Sequence, residues 1–201
     1  MKIAITGTSS GIGKETSSHL KSFGYEILEI NRQLLDLNDI ESIKNFDLSG
    51  FNVLINNAGH ELGINTRFDQ VSSDFWLSQM RVNLLAPMML THNFLSQNKS
   101  GLIINVTSGI VGKYRSNSVP YFVSKSALSL FTEAVQVDMK DNFRFVEVVP
   151  KRINTGFALK NGAESSNSDY LIEPIEVAKN IKYVIENEFI QKITVSHSKR
   201  C

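Results

Sequence analysis

The sequence predicts an α/β protein built on one doubly wound parallel sheet, and three observations carry that expectation. Apolar runs of strand length alternate with longer stretches of helical character along the whole chain. The strand runs are apolar on both faces, as strands covered by helices on either side must be. A glycine-rich turn stands between the first strand run and the first helical stretch, and the carboxyl ends of strands are where open α/β sheets bind ligands.

In chain order, residues 3–6 (Ile-Ala-Ile-Thr) form the first expected strand and residues 13–23 the helix after it. Residues 27–30 form the second strand. Only Asn31, Arg32, Gln33 and Leu34 then precede Leu35-Asp36-Leu37, too few residues for a crossover helix. One helix is therefore expected to be trimmed, and the strand after it to be very short or absent. A helix over 39–46, a strand over 53–56, a long helix over 73–96 and a strand over 102–106 follow. Next come a helix over 121–140, a strand over 143–149, a helix over 175–187 and a weaker last strand over 192–195. The polar stretch 160–169, rich in Asn, Ser and Gly, reads as a loop, and about 156–170 as a mobile lid. Phe75, Trp76, Leu77, Met80, Val82, Leu84, Leu85, Met88, Met89 and Leu90 cover most of the circumference of one middle helix. Leu128, Leu130, Phe131, Ala134, Val135 and Val137 nearly do so on the other. A helix apolar all round is buried all round, so a homodimer through helices near 73–96 and 121–140 is expected.

Bulk properties narrow the function classes. The 201 residues fit a single domain 1–201, and a formal charge of +1 offers no electrostatic case for nucleic acid or an acidic membrane surface. No apolar run approaches the ~20 residues that span a bilayer, and with the strand-like start Met1-Lys2-Ile3-Ala4-Ile5 no signal peptide is expected. The one cysteine, Cys201, closes off disulfides and thiolate metal cages. His19, His60, His92 and His197 lack metal spacing with carboxylates, so no metal site is expected. A cytoplasmic enzyme or binding protein is the reading these features leave.

The turn Thr6-Gly7-Thr8-Ser9-Ser10-Gly11-Ile12-Gly13 has the character of a cradle for a dinucleotide pyrophosphate. Gly7 allows a sharp exit from the strand, Gly11 a close backbone approach to the pyrophosphate, and Gly13 tight contact of helix with sheet. Backbone N–H groups at the helix start, beginning around Ile12, face the anion, and Ser9 and Ser10 add hydroxyl donors. Asn56-Asn57-Ala58-Gly59 after the strand over 53–56 offers small residues at a second strand end. At the end of the second strand, where an acidic residue would favour NAD, the chain has Asn31 and Arg32, so NADP(H) is preferred over NAD(H). Glu29 complicates this, because alternation puts it on the same face as Asn31.

A proton-transfer constellation accompanies the cradle. Tyr121 and Lys125 are four residues apart on an expected helix and share one face. A phenol of ordinary pKa about 10 costs about 4 kcal/mol to ionise at pH 7, and a nearby ammonium reduces that cost. Tyr121 can then protonate a carbonyl oxygen, or take the alcohol proton in reverse. Ser108, ending the run Ile103-Ile104-Asn105-Val106-Thr107-Ser108, can donate to the same oxygen. Asn83, a short amide among apolar helix neighbours, can hold a water that leads to Lys125, and Lys125 can also hold nicotinamide ribose hydroxyls. Taken singly, these are a solvated Tyr–Lys pair, a turn serine and a local kink; their combination and order carry the reading.

Together these segments make the chain resemble the short-chain dehydrogenase/reductase family over nearly its whole length. The matching residues are Thr6-Gly7-x-x-x-Gly11-x-Gly13, Asn56-Asn57-Ala58-Gly59, Asn83, Ser108 and Tyr121-x-x-x-Lys125. The resemblance implies a Rossmann-type fold, with Asp36 and Leu37 about the adenine and Asn57, Ala58 and Gly59 along the ribose. It likewise implies Pro150, Ile153 and Thr155 at the nicotinamide amide, and a substrate lid after Thr155. Two departures stand out: Lys151-Arg152 where the family usually has glycine after Pro150, and a C-terminus without an Asp-Gly-Gly tail, which favours a dimer over a tetramer. The expected activity is an NADP(H)-preferring oxidoreductase interconverting a small-molecule carbonyl compound and its alcohol. Two readings stand against it: a non-catalytic dinucleotide-binding redox-sensing regulator, and a sugar-nucleotide epimerase or dehydratase, for which the glycine spacing is wrong.

Overall fold

A computed structural model of the chain describes residues 1–60, 66–113, 117–154 and 171–196. Six strands, β1 Lys2–Thr6, β2 Glu26–Ile30, β3 Val53–Asn56, β4 Gly101–Val106, β5 Phe143–Pro150 and β6 Lys192–Val195, form one sheet. Every pairing is parallel, in the order β2-β1-β3-β4-β5-β6. Alternation divides the core between the two faces. Ile3, Ile5, Ile55, Val146 and Val148 point to the side covered by α1 (Gly11–Ser22) and α6 (Pro174–Glu186). Ala4, Leu54, Ile103 and Phe145 point to the side of α3 (Ser73–Met80), α4 (Ala86–Gln97) and α5 (Val119–Met139). Both faces of the central strands β1, β3, β4 and β5 are covered, as their doubly apolar runs require, while the edge strands β2 and β6 are partly exposed.

Because β1 lies between β2 and β3, the winding reverses there, and a crevice opens beyond the carboxyl ends of β1 and β3. The glycine turn after β1 and the segment Asn57-Ala58-Gly59 after β3 border that crevice from the two sides.

The crossover after β2 is trimmed as expected, and among the described residues no strand pairs with the outer edge of β2. Residues 31–39 fold as successive turns, in which Leu35 donates to the Asn31 carbonyl and Asp39 to that of Asp36. The helix expected over 39–46 shortens to a single turn, α2 (Ile40–Ile43), capped by Asp39, which accepts from the amides of Glu41 and Ser42. Its continuation is replaced by side-chain bonding, since Asn93 of α4 donates to the Ile43 carbonyl at 2.7 Å. Leu35, Leu37, Ile43 and Leu48 are buried in the space this leaves.

The long helix expected over 73–96 is interrupted. Between α3 and α4 the backbone widens into a π-type turn over Arg81–Leu85, with Pro87 just inside the start of α4. Proline has no N–H to offer the carbonyl of Asn83 four residues back, so the hydrogen-bond register shifts there. The middle helices are also less enclosed than their composition suggests. Leu90, Phe94 and Leu128 are buried, whereas Phe75, Leu85 and Met88 on one side and Val123, Leu130 and Val137 on α5 are exposed. No helix among the described residues is long and apolar enough to cross a membrane.

Candidate active site

The glycine turn and the β3 end are bolted together. Thr6 Oγ1 accepts from the amides of Asn57 (3.0 Å) and Ala58 (2.9 Å), and Asn57 Nδ2 donates back to the Thr6 carbonyl at 2.9 Å. Gly7 has φ +74°, and a Cβ there would lie 2.8 Å from Ala58 Cα, so only glycine lets the two segments touch. A Cβ at Gly13 would be driven into the Gly7 carbonyl and the Asn57 amide. Helix α1 starts without a side-chain cap from Ser10 and without an acidic residue in its first turn. Its leading N–H groups and dipole, with exposed Ser9 and Ser10 and half-buried Gly11 and Ile12, therefore present an anion-attracting rim. These features fit a dinucleotide pyrophosphate.

At the β2 end, Asn31 Oδ1 accepts from the amides of Gln33 and Leu34, closing a local turn. That turn carries exposed Arg32, which makes no ion pair among the described residues. Glu29 is engaged with α1, accepting from Ser17 Oγ (2.5 Å) and pairing with Lys21 Nζ at 2.8 Å. The Lys21 contact first, and the Ser17 bond second, hold its carboxyl below the usual range. Asp36 is exposed and accepts from the Asn38 amide, whereas the Leu37 side chain is buried in the core.

The second half of the site gathers around Lys125, which is 3% exposed and donates from Nζ to the Val106 carbonyl at 2.9 Å. Gly59 makes the space: a Cβ there would stand 3.2 Å from Nζ and 3.3 Å from Asn83 Oδ1. Burial pulls the Lys125 pKa down to about 8. Tyr121 lies one helical turn before it, half-buried. Asn83, fully buried in the π-type turn, clamps the backbone of His60, accepting from its N–H at 2.9 Å and donating to its carbonyl at 2.8 Å. Its amide also donates to Ser124 Oγ (3.1 Å), which donates to the Tyr121 carbonyl at 2.9 Å. Ser108 stands half-buried beyond the end of β4, its Oγ accepting from the Ile110 amide at 3.3 Å. The His60 ring contacts Ser78 Oγ; burial first, then the charge of Arg32, lowers its pKa, with Ser78 and Asp36 opposing.

Pro150 is buried at the end of β5, and Ile153 pairs with Ile172 in an isolated bridge. Lys151 leaves the ladder intact: its amide donates to the Val195 carbonyl, and Gly109 donates to that of Pro150. Thr155 and the lid expected over 156–170 lie outside the described residues. The structure thus brings Asn83, Lys125 and Gly59 into one cluster, with Tyr121 tied to it through Ser124. Arg32 and Asp36 are exposed on the turns after β2, and the Leu37 side chain is buried in the core. Sequence reasoning passed over Ser124, although a serine three residues after the tyrosine on one helix is placed to bond back to its carbonyl.

Comparison with known proteins agrees with this architecture. Residues 41–166 match the family described as short chain dehydrogenase. The NADP-dependent 3-hydroxy acid dehydrogenase of Schizosaccharomyces pombe is 33% identical over 78% of this chain and 73% of its own. An alcohol dehydrogenase from the archaeon Thermococcus sibiricus, solved in complex with 5-hydroxy-NADP, superposes with a TM-score of 0.84 at 21% identity, covering 100% of this chain and 98% of the other. A 4-hydroxyisoleucine dehydrogenase complexed with NADH superposes at 0.85 with 22% identity, over 97% and 96%. With the glycine cradle at the switch point and the buried Lys125 beside Tyr121 already in place, the match identifies the chain as a member of the short-chain dehydrogenase family of NAD(P)-dependent oxidoreductases.

Proposed function

We propose that the chain is an NADP(H)-preferring reductase, working as a homodimer, that interconverts a ketone or aldehyde and its alcohol. The observation that carries this reading is the nearly water-free ammonium of Lys125 one helical turn from Tyr121. The leading N–H groups of α1, with Gly7, Ser9, Ser10, Gly11, Ile12 and Gly13, hold the pyrophosphate. Asn57, Ala58, Gly59 and Lys125 line the ribose, and Pro150, Ile153 and Thr155 the amide. When bound, the dinucleotide supplies or accepts the hydride.

Tyr121 gives the proton to the substrate oxygen in reduction and takes it back in oxidation. Lys125 stabilises the negative charge that Tyr121 acquires, more strongly here than in water because so little solvent reaches it. Ser108 donates to the same substrate oxygen as charge develops. Asn83 holds His60 and, through Ser124, the turn carrying Tyr121, so its amide orders the site by direct bonds.

Preference for the 2′-phosphate rests on Arg32, the cation next to the β2 end, and on the withdrawal of Glu29 toward Ser17 and Lys21. No carboxylate of β2 is then left to repel a phosphate at that rim. The homodimer rests on the exposed stripe Val123, Leu130 and Val137, spaced seven apart along α5, beside exposed Phe75, Leu85 and Met88. A second copy covering both would bury an apolar face that a monomer leaves wet.

Four outcomes are expected. Tyr121→Phe lowers kcat by about 10²–10⁴-fold while NADPH binding, followed by nicotinamide fluorescence, is retained; unchanged turnover would refute the assigned acid. Arg32→Ala raises the NADPH Michaelis constant about tenfold or more and leaves that for NADH in place, matching the loss of a charge-assisted bond. Lys125→Met abolishes turnover yet raises Tm at pH 7. The unfolded lysine holds its proton up to about 10.5 and the folded one only to about 8. Stability is thus lost as pH falls from 10.5 through 8, by about 3 kcal/mol. The Tm advantage of the methionine variant shrinks at pH 10, and an equal advantage at both pH values would contradict the burial cost. Light scattering gives twice the chain mass for the wild type and the single mass for Leu130→Glu/Val137→Glu; a wild-type monomer across a concentration series excludes the dimer.

A further inference from the structure

One buried charge lies just outside the cluster described above. Glu147, in the interior of β5, is 2% exposed. A carboxylate there is costly to desolvate unless it is paired and hydrogen-bonded. Its Oε1 accepts from Thr107 Oγ1 at 2.6 Å. Its Oε2 makes no aligned hydrogen bond and is neutralised by Lys192 Nζ at 2.5 Å, from the residue directly opposite on β6. Glu133 of α5 stands 3.8 Å from the same ammonium. Lys192 of β6 thus braces Glu147 from one side, with Glu133 of α5 near the same ammonium, and Glu147 takes the hydroxyl of Thr107, itself 4% exposed and 3.4 Å from the Val148 carbonyl.

Thr107 immediately precedes Ser108. Its amide donates to the Val148 carbonyl at 2.9 Å, and the next tie to β5 is Gly109 to the Pro150 carbonyl, also 2.9 Å. Ser108 has no such tie and hangs between these anchors, past the end of β4. On extended backbone, neighbouring side chains point to opposite sides, so holding the Thr107 side chain against the sheet sets the direction in which Ser108 leaves it. Glu147 is buried while Lys192 is about half-exposed, so the pair neutralises the carboxylate without desolvating both charges. A glutamate here also gives the Thr107 hydroxyl an acceptor, which an apolar residue would not.

We infer that Glu147 is a positioning residue for Ser108, acting through the hydroxyl of Thr107, so that the donor aimed at the substrate oxygen is set from the strand beside it. This rests on the role proposed above for Ser108. The test is a double-mutant cycle with Thr107→Val, Ser108→Ala and their combination, measuring kcat, KM and NADPH affinity, with Tm as the folding control. Thr107→Val keeps the side-chain shape and removes the hydroxyl. It is expected to lower kcat about tenfold with NADPH affinity unchanged, as misplacement of a reacting group does. In the Ser108→Ala background the same substitution is expected to cost nothing further, because there is no hydroxyl left to aim. Glu147→Gln, whose amide oxygen still accepts from Thr107, is expected to keep most of the activity. Glu147→Leu, folded by the same Tm control, removes the acceptor and is expected to lose about as much as Thr107→Val; no loss in Glu147→Leu would overturn the inference. Equal losses from Thr107→Val with and without Ser108, or no loss in the folded single variant, would overturn the inference. So would a Glu147→Gln loss as large as that of Thr107→Val. If Ser108→Ala alone leaves kcat untouched, the proposed role of Ser108 fails instead, a result separable from the others.

Discussion

The ammonium of Lys125 is held where almost no water reaches it, and much of the surrounding structure makes that possible. A lysine in such a place is pressed to give up its charge, and the chain meets that pressure with one carbonyl, that of Val106, at the very end of β4. The neighbouring segment after β3 contributes by omission, since Gly59 brings no side chain into the space the ammonium fills. Asn83, its amide turned to His60 and Ser124, closes the remaining side. The proposed reaction needs a cation near a phenol, and this fold would supply it at a cost to its own stability. Such opposition between local stability and chemistry is expected where a site is built for function.

The cradle and the cluster are joined through the sheet rather than through each other. Thr6 binds the turn after β1 to the segment after β3, and that same segment supplies Gly59 and the His60 backbone that Asn83 grips. Between β3 and α5 runs a buried polar chain, Asn56 Nδ2 to Asn105 Oδ1 and Asn105 Nδ2 to Thr132 Oγ1, both at 2.9 Å. The two amide donors of this chain each find an acceptor, while Asn56 Oδ1 is buried without a partner among the described residues, and the bonds fix the height of α5 over the strands. Lys125 and Tyr121 ride on that helix.

The alternation of apolar runs and the glycine spacing made the strand order of events, the parallel sheet and the cradle legible before any coordinates. The Tyr121–Lys125 interval put both residues on one face of α5 for the same reason: helix and strand periods are local properties. What depends on non-local geometry was not legible. Glu29 looked like an obstacle to a phosphate because alternation ignores side-chain length, and Ser17 and Lys21 on α1 reach it first. Asn83 read as a short amide within one long helix, because a π-type turn has no strong period; Pro87 was the available sign. The helix over 39–46 was overextended because nothing local announces that Asn93, fifty residues on, will take the Ile43 carbonyl.

The shortened crossover leaves β2 with neighbours on one side alone among the described residues, and that has a bearing on how the protein keeps to itself. An unpaired strand margin invites a foreign strand to zip onto it, whether from an unfolded sibling or from a fibril tip. Here Glu26 and Glu29 bracket Ile27 and Leu28 along that strand, Glu26 lying 3.9 Å from Lys2 of β1 and Glu29 2.8 Å from Lys21 of α1. A second copy docking there in parallel register would set its own Glu26 beside this exposed carboxylate, so the charge that economy of chain length left open also guards against amyloid-like recruitment.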